Sequence, residues 1–200
     1  TYFNISSSDI TLDGTWTEGI RGFKGHLTYK GGNVTLQSIA NNSQAPLFKS
    51  ISAEGIVEDL TVRGTITYNG TADFSPFCGV NNGTIDRCRN YCQVTASLAS
   101  VGGICVTNNG MIHNAANTQA IKTTANDKYA GGICITNNGT IDGYGTSIGK
   151  VTGAQAGTIC HRNNGIVTNC QISLNRTDLT KPFGGLVYLN ASAGSIKNSE

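Results

Sequence analysis

Charge is scarce in this chain. Only 13% of its 200 residues are charged, 14 Lys and Arg against 12 Asp and Glu, and the cations form no run. A net charge of +2 spread this thinly argues against nucleic acid and against an anionic membrane surface as partners. Long apolar runs are lacking too. Nothing approaches the ~18 consecutive apolar residues of a spanning helix, so no membrane insertion is expected, and no signal-peptide pattern opens the sequence. Acidic residues are sparse, whereas polysaccharide-cleaving β-helices need clustered carboxylates or a calcium site with a nearby basic residue, and no phosphate-binding loop occurs. One cysteine spacing, Cys88-x-x-x-Cys92, would suit zinc with His113 or His161 added, but no second pair accompanies it. No metal and no cofactor are therefore expected.

What the chain has in quantity is Gly (26), Thr (24) and Asn (21). These residues repeat. Gly103-Ile-Cys-Val-Thr-Asn-Asn-Gly-Met-Ile112 returns as Gly132-Ile-Cys-Ile-Thr-Asn-Asn-Gly-Thr-Ile141, and more loosely at 158–167 and 76–85. With the glycine of Asn-Asn-Gly as marker, six units align on Gly55, Gly83, Gly110, Gly139, Gly165 and Gly194, spaced 28, 27, 29, 26 and 29 residues apart. A period of this size signals a solenoid. Five residues before each inner marker stands Cys78, Cys105, Cys134 or Cys160. Two residues after each of the six markers comes an apolar residue: Val57, Ile85, Ile112, Ile141, Val167 and Ile196. No unit holds ten residues with helical apolar spacing, so each reads as strand, sharp Asn-Gly corner and strand.

The expected fold is therefore all-β. It is a parallel β-helix solenoid of about six rungs of 26–29 residues, right-handed by the usual rule for parallel crossovers. Successive rungs would stack about 4.8 Å apart. The four marker cysteines would then form an inward ladder of small apolar side chains, and the Asn-Asn-Gly corners a second ladder of hydrogen-bonded amides. Positive φ at Asn and Gly is the reason such a corner turns sharply. Residues 1–22 do not match the repeat. They read as an N-terminal cap, with short strands at 2–5 and 9–12 and Trp16 covering the open end of the array. The repeat array itself runs over 23–200 and is expected to continue beyond. Residues 23–36 suit either a hairpin or a first rung. The longest excursion, 114–130, contains the polar run 122–128, expected to loop out on a binding face.

Seven cysteines invite a disulfide reading. Cys88–Cys92 is the pair to examine, and the odd total leaves at least one thiol free or paired outside the chain. One constellation looks chemical. Asp86, His113 and Asp142 share the position three after the marker glycine, and stacking would line them up about 5 Å apart. Glu58, Thr168 and Lys197 hold that position elsewhere, which favours an ordinary solvent-facing stripe. Cys160 and His161 are adjacent, so a strand would point them to opposite faces and away from Cys–His catalysis.

The motif Gly-Gly-Ile-Cys-x-Thr-Asn-Asn-Gly-Thr-Ile resembles the GLUG-type repeats of bacterial surface proteins. So does the opening: Asp9-Ile-Thr-Leu12, Trp16, Phe23-Lys-Gly-His-Leu-Thr-Tyr-Lys-Gly-Gly-Asn-Val-Thr-Leu36, then Ala45-Pro-Leu-Phe48 and Gly55-Ile-Val-Glu-Asp-Leu-Thr-Val62. Tyr29-Lys-Gly-Gly-Asn33 departs from the Asp-Gly-Asn-Gly-His of that opening. The resemblance covers nearly the whole chain. It implies an extracellular module at the surface or cell wall of a bacterium, not an enzyme, acting in adhesion, in binding a host or plant glycan or an extracellular protein, or as a stalk. Many such proteins come from anaerobic bacteria, which would suit unoxidised thiols. Candidate contact residues are Asp127, Lys128, Tyr129 and Tyr144, and the fragment is expected to be monomeric. The alternatives are an accessory domain of a large secreted enzyme and, less favoured, a β-helix that itself cleaves polysaccharide through Asp86–His113–Asp142.

Overall fold

The computed structural model describes residues 9–12, 18–36, 45–143, 149–172 and 181–199, and the backbone alone for 2–6. Its architecture is an all-β parallel solenoid of about six repeating rungs, with 24 short strands among the described residues sorted into four sheets. Every strand pairing is parallel, and each partner lies one coil away in sequence. Sheet I stacks, in spatial order, Tyr2–Ser6, His26–Lys30, Ile56–Glu58, Thr84–Asp86, Met111–His113, Thr140–Asp142, Ile166–Thr168 and Ser195–Lys197. Sheet II runs from Ile10–Leu12 through Val34–Leu36, Thr61–Tyr68, Arg89–Ala96 and Ile121–Thr123 to Val151–Thr152, with Ala116–Asn117 beside Arg89–Asn90. Sheet III is Val101–Gly102, Tyr129–Gly131 and Gln155–Gly157. Sheet IV is Phe48–Ile51, Cys78–Asn81, Cys105–Asn108, Cys134–Asn137, Cys160–Asn163 and Val187–Asn190. From Cys78 to Thr168 the chain passes from sheet IV to I to II to III and back.

The first coils obey this register without sharing the motif. Tyr2–Ser6 pairs with His26–Lys30 and Ile10–Leu12 with Val34–Leu36, so these segments extend sheets I and II toward the N-terminus. His26–Lys30 and Val34–Leu36 lie in different sheets, so residues 23–36 form a rung and not a hairpin. Trp16 lies outside the described residues.

The interior is a set of one-residue columns. Cys78, Cys105, Cys134 and Cys160 pair in exact register, continued by Phe48 before and Val187 after. All four thiols are fully buried. Val57, Ile85, Ile112, Ile141 and Val167 form a parallel buried column in sheet I. Such columns suit a thin core, where each side chain packs on its own copies and on the facing sheet.

The first Asn of each Asn-Asn-Gly is buried, and its amide forms a continuous ladder. The Nδ2 of Asn81, Asn108, Asn137 and Asn163 donates to Oδ1 of Asn108, Asn137, Asn163 and Asn190 respectively, each at 2.8 Å. The second proton reaches a backbone carbonyl of the next corner, as from Asn81 to Met111 O at 3.1 Å. The second Asn makes an exposed ladder running the other way, from Asn109 to Asn82, Asn138 to Asn109 and Asn164 to Asn138, at 2.8–2.9 Å. A buried amide must be fully bonded or it destabilises the fold, and stacking identical corners satisfies it coil by coil.

The marker glycines have a different reason from the one expected. None of them has positive φ. A Cβ on Gly110, Gly139 or Gly165 would instead stand 2.1 Å from the carbonyl oxygen of the marker glycine one coil earlier. Glycine is thus required by the close approach of stacked corners. The left-handed turn lies four residues further on, where Asp59, Arg87, Asn114, Asn169 and Asn198 have φ of 48–56° and Gly143 has φ 92°. All six units carry it. A third corner, between sheets III and IV, seats Gly102, Gly131, Gly157 and Gly184, whose Cβ atoms would stand 1.7–2.2 Å from the carbonyls of Cys105, Cys134, Cys160 and Val187.

Candidate functional site

The stripe Asp86–His113–Asp142 exists as a line of paired residues in sheet I. His113 Nδ1 lies 2.9 Å from Asp86 Oδ1. Asp142 is turned elsewhere, its Oδ1 accepting from Asn169 Nδ2 at 2.8 Å. Asp86, itself buried, is also bound by the Arg87 guanidinium. Arg87 in turn donates from Nε to Asp59 Oδ1 at 2.8 Å and lies 3.7 Å from Glu58, which reaches His26 at 3.1 Å. These bonds, Asp59 first, hold Arg87 even more firmly in its charged form. The stripe is therefore part of a compensated ionic network at the left-handed corners, and the structure joins only two of its three members.

The predicted contact residues divide. Asp127 is exposed and lies 3.8 Å from the Lys128 ammonium. Tyr129 begins a strand of sheet III, its N–H donating to Ser100 Oγ at 3.2 Å. Tyr144 lies outside the described residues. The polar run 122–128 does not leave the stack as a whole: Ile121–Thr123 pairs with Val94–Ala96 and Val151–Thr152, with Ile121 and Thr123 buried, and only 124–128 bridges to sheet III.

Tyr129 has a setting that sequence reading missed. Its ring stacks on His161, centroids 4.0 Å apart and 4° from parallel, and His161 stacks on Tyr188 at 5.3 Å and 12°. His161 Nε2 lies 3.1 Å from Gln155 Oε1, and Gln155 pairs with Tyr129 across sheet III. Burial, then the nearby Arg162 charge, pull the imidazole below its ordinary value and favour the neutral ring. The result is a three-ring column spanning three coils, locked by packing, with Tyr129 at its exposed end. The signal for two of its three rings was legible, since His161 and Tyr188 both follow the cysteine-column position directly. Tyr129 comes from another sheet, and its alignment depends on coil geometry.

The cysteines offer no nucleophile. All seven are buried and none forms a disulfide, and burial pushes the thiols of Cys78, Cys88 and Cys92 far up. The suggested Cys88–Cys92 pair does not form. Four residues of extended chain separate these side chains by about 13 Å, well beyond disulfide reach, and the Cys88 thiol donates instead to the carbonyls of Val57 and Asp86. Cys160 faces the core while His161 sits under Tyr129, on opposite sides of one strand. Among the described residues no three His, Cys, Asp or Glu side chains gather as a metal site. One further motif deserves placing: Gly145-Thr-Ser147-Ile-Gly149 has nucleophile-elbow spacing. That elbow works between a strand and a helix; no helix occurs among the described residues, and Ser147 lies outside them. Compared with known proteins, the chain matches no family model, no curated protein and no solved structure.

Proposed function

We propose that this chain is a non-catalytic, extracellular module of a bacterial surface protein that recognises a glycan or an extracellular protein through the rigid flank of its solenoid. The observation that carries the reading is the Tyr129–His161–Tyr188 column. It presents an aromatic side chain to solvent, 37% exposed in the case of Tyr129, on strands that cannot shift without breaking register. Rigid, half-exposed aromatics supply contact area at little entropic cost. Asp127 and Lys128 stand immediately before Tyr129 and add polar partners at the edge. The compensated state of the Asp86 network and the inaccessible thiols favour recognition over chemistry.

The test is a glycan and extracellular-matrix array probed with the 200-residue chain, thiols kept reduced. Saturable binding to one ligand class is expected, weakened about tenfold or more by Tyr129→Ala. A blank array from a chain shown folded by circular dichroism overturns recognition and leaves the stalk role.

A further inference from the structure

Beside Val151–Thr152, the last strand of sheet II among the described residues, lies a cleft of about 410 Å³ lined by Lys122, Lys150, Lys181, Thr123, Thr124 and Thr152. Among the described residues three lysines and the exposed or half-buried Thr124 and Thr152 line it, and no carboxylate does. The backbone beneath them is fixed. Lys122 pairs with Thr152 across the sheet, the Lys150 carbonyl accepts from Ile121 N–H at 3.0 Å, and Thr124 N–H donates to Ala96 O at 2.9 Å. Lys122 and Lys150 form no ion pair among the described residues. Thr123 is fully buried, and its hydroxyl has no hydrogen-bond partner.

Charge along the chain points the same way. Residues 143–200 carry five Lys and Arg against two Asp and Glu, whereas residues 1–142 carry nine against ten. Two of the three cleft lysines, Lys150 and Lys181, belong to that more basic stretch of sequence. Its lysines come from three successive turns of the chain, and coils stack about 4.8 Å apart. A pyranose unit spans a similar length, so a polymer with one anionic group per sugar, laid obliquely across the cleft, can bring its groups to lysines from successive coils.

We infer that this cleft binds the anionic groups, carboxylate or sulfate, of an acidic polysaccharide. The inference extends the recognition reading to a second surface and gives it a ligand chemistry, and it does not depend on Tyr129.

Titration calorimetry of the reduced 200-residue chain with polygalacturonate, dextran sulfate and neutral dextran tests it. Saturable binding to at least one anionic polymer is expected, and none to dextran; the polymer that binds names the group. Affinity falls as salt is raised from about 50 to about 300 mM. The triple variant Lys122→Gln/Lys150→Gln/Lys181→Gln binds about tenfold more weakly or worse. A matched variant at exposed lysines elsewhere, Lys24→Gln/Lys49→Gln/Lys197→Gln, stays within about twofold of the parent. If the first triple variant does not fold, its three single substitutions replace it. Failure of both anionic polymers to bind, or equal losses in the two triple variants, overturns the proposal. Binding lost in Tyr129→Ala but kept in the cleft variants overturns it too, while sparing the recognition reading.

Discussion

At the residue scale, glycine does two separate jobs in this fold. Gly110 has ordinary φ, but any Cβ there would stand 2.1 Å from Gly83 O and 2.7 Å from the Asn82 carbonyl carbon, backbone atoms that cannot move aside. Gly185 is the reverse, with φ +66° and nothing within 4 Å of a built Cβ. Gly110→Ala must separate two coils and weaken the amide ladder on both sides, at an expected cost of about 3 kcal/mol or more. Gly185→Ala meets only the left-handed backbone penalty of about 1 kcal/mol. Urea unfolding of the two variants measures the difference. Equal losses would mean that Gly110 serves backbone conformation after all. The sequence pattern Asn-Asn-Gly invites that conformational reading, because a single chain shows the residue types at a corner and not the carbonyl arriving from the coil before it.

At the element scale, legibility follows periodicity. The cysteine column, the apolar column of Ile85, Ile112 and Ile141, and the Asn ladder all repeat at one spacing, so each could be read before any coordinates. Three elements could not. The left-handed corner is filled by Asp59, Arg87, Asn114, Gly143, Asn169 and Asn198. Four of these are Asn or Gly, a usable signal, but Arg87 obscures it, held there by bonds to Asp59 and Asp86. The N-terminal coil keeps backbone register with no shared motif, since parallel pairing needs only extended chain at the right separation. The Tyr129–His161–Tyr188 column draws its rings from two sheets, so no single repeat position contains it. That column has a pH signature. Because burial depresses the folded pKa of His161 below its ordinary 6.5, the unfolded chain takes up the proton first as pH falls. Stability contributed by the neutral ring is whole above about 6.5 and drains away as pH falls through that value toward the lower folded one. His161→Phe keeps a flat ring between the tyrosines and removes the proton. Urea midpoints at pH 7, 6 and 5 should therefore fall less steeply in the variant than in the parent. Parallel slopes would show that His161 is solvated, and the stack loose.

At the scale of the whole molecule, each coil touches only its neighbours, so stability is a sum of coil and interface contributions and opening proceeds from the ends. The thiols make this measurable, because they sit at known heights in one column and are all buried. In the native chain a thiol reagent finds no accessible site; burial raises the pKa of Cys105 and Cys134, and the hydrogen bond with Cys134, then burial, raises that of Cys160, so any reaction waits for local opening. Cys105 and Cys134 each have a cysteine coil on either side, whereas Cys160 stacks against Val187 and Cys78 against Phe48. Cys170 lies closest to the last strand, its N–H bonded to Ser199 Oγ at 3.0 Å. Pulsed alkylation under mild denaturant, mapped by mass spectrometry, should therefore label Cys170 before Cys160 and leave Cys105 and Cys134 until last. Seven thiols reacting at one common rate would mean that the array opens as a single cooperative unit. The interfaces between coils would then dominate the coils themselves, as expected if the continuous Asn ladder, and not the local strand pairs, sets the cooperativity.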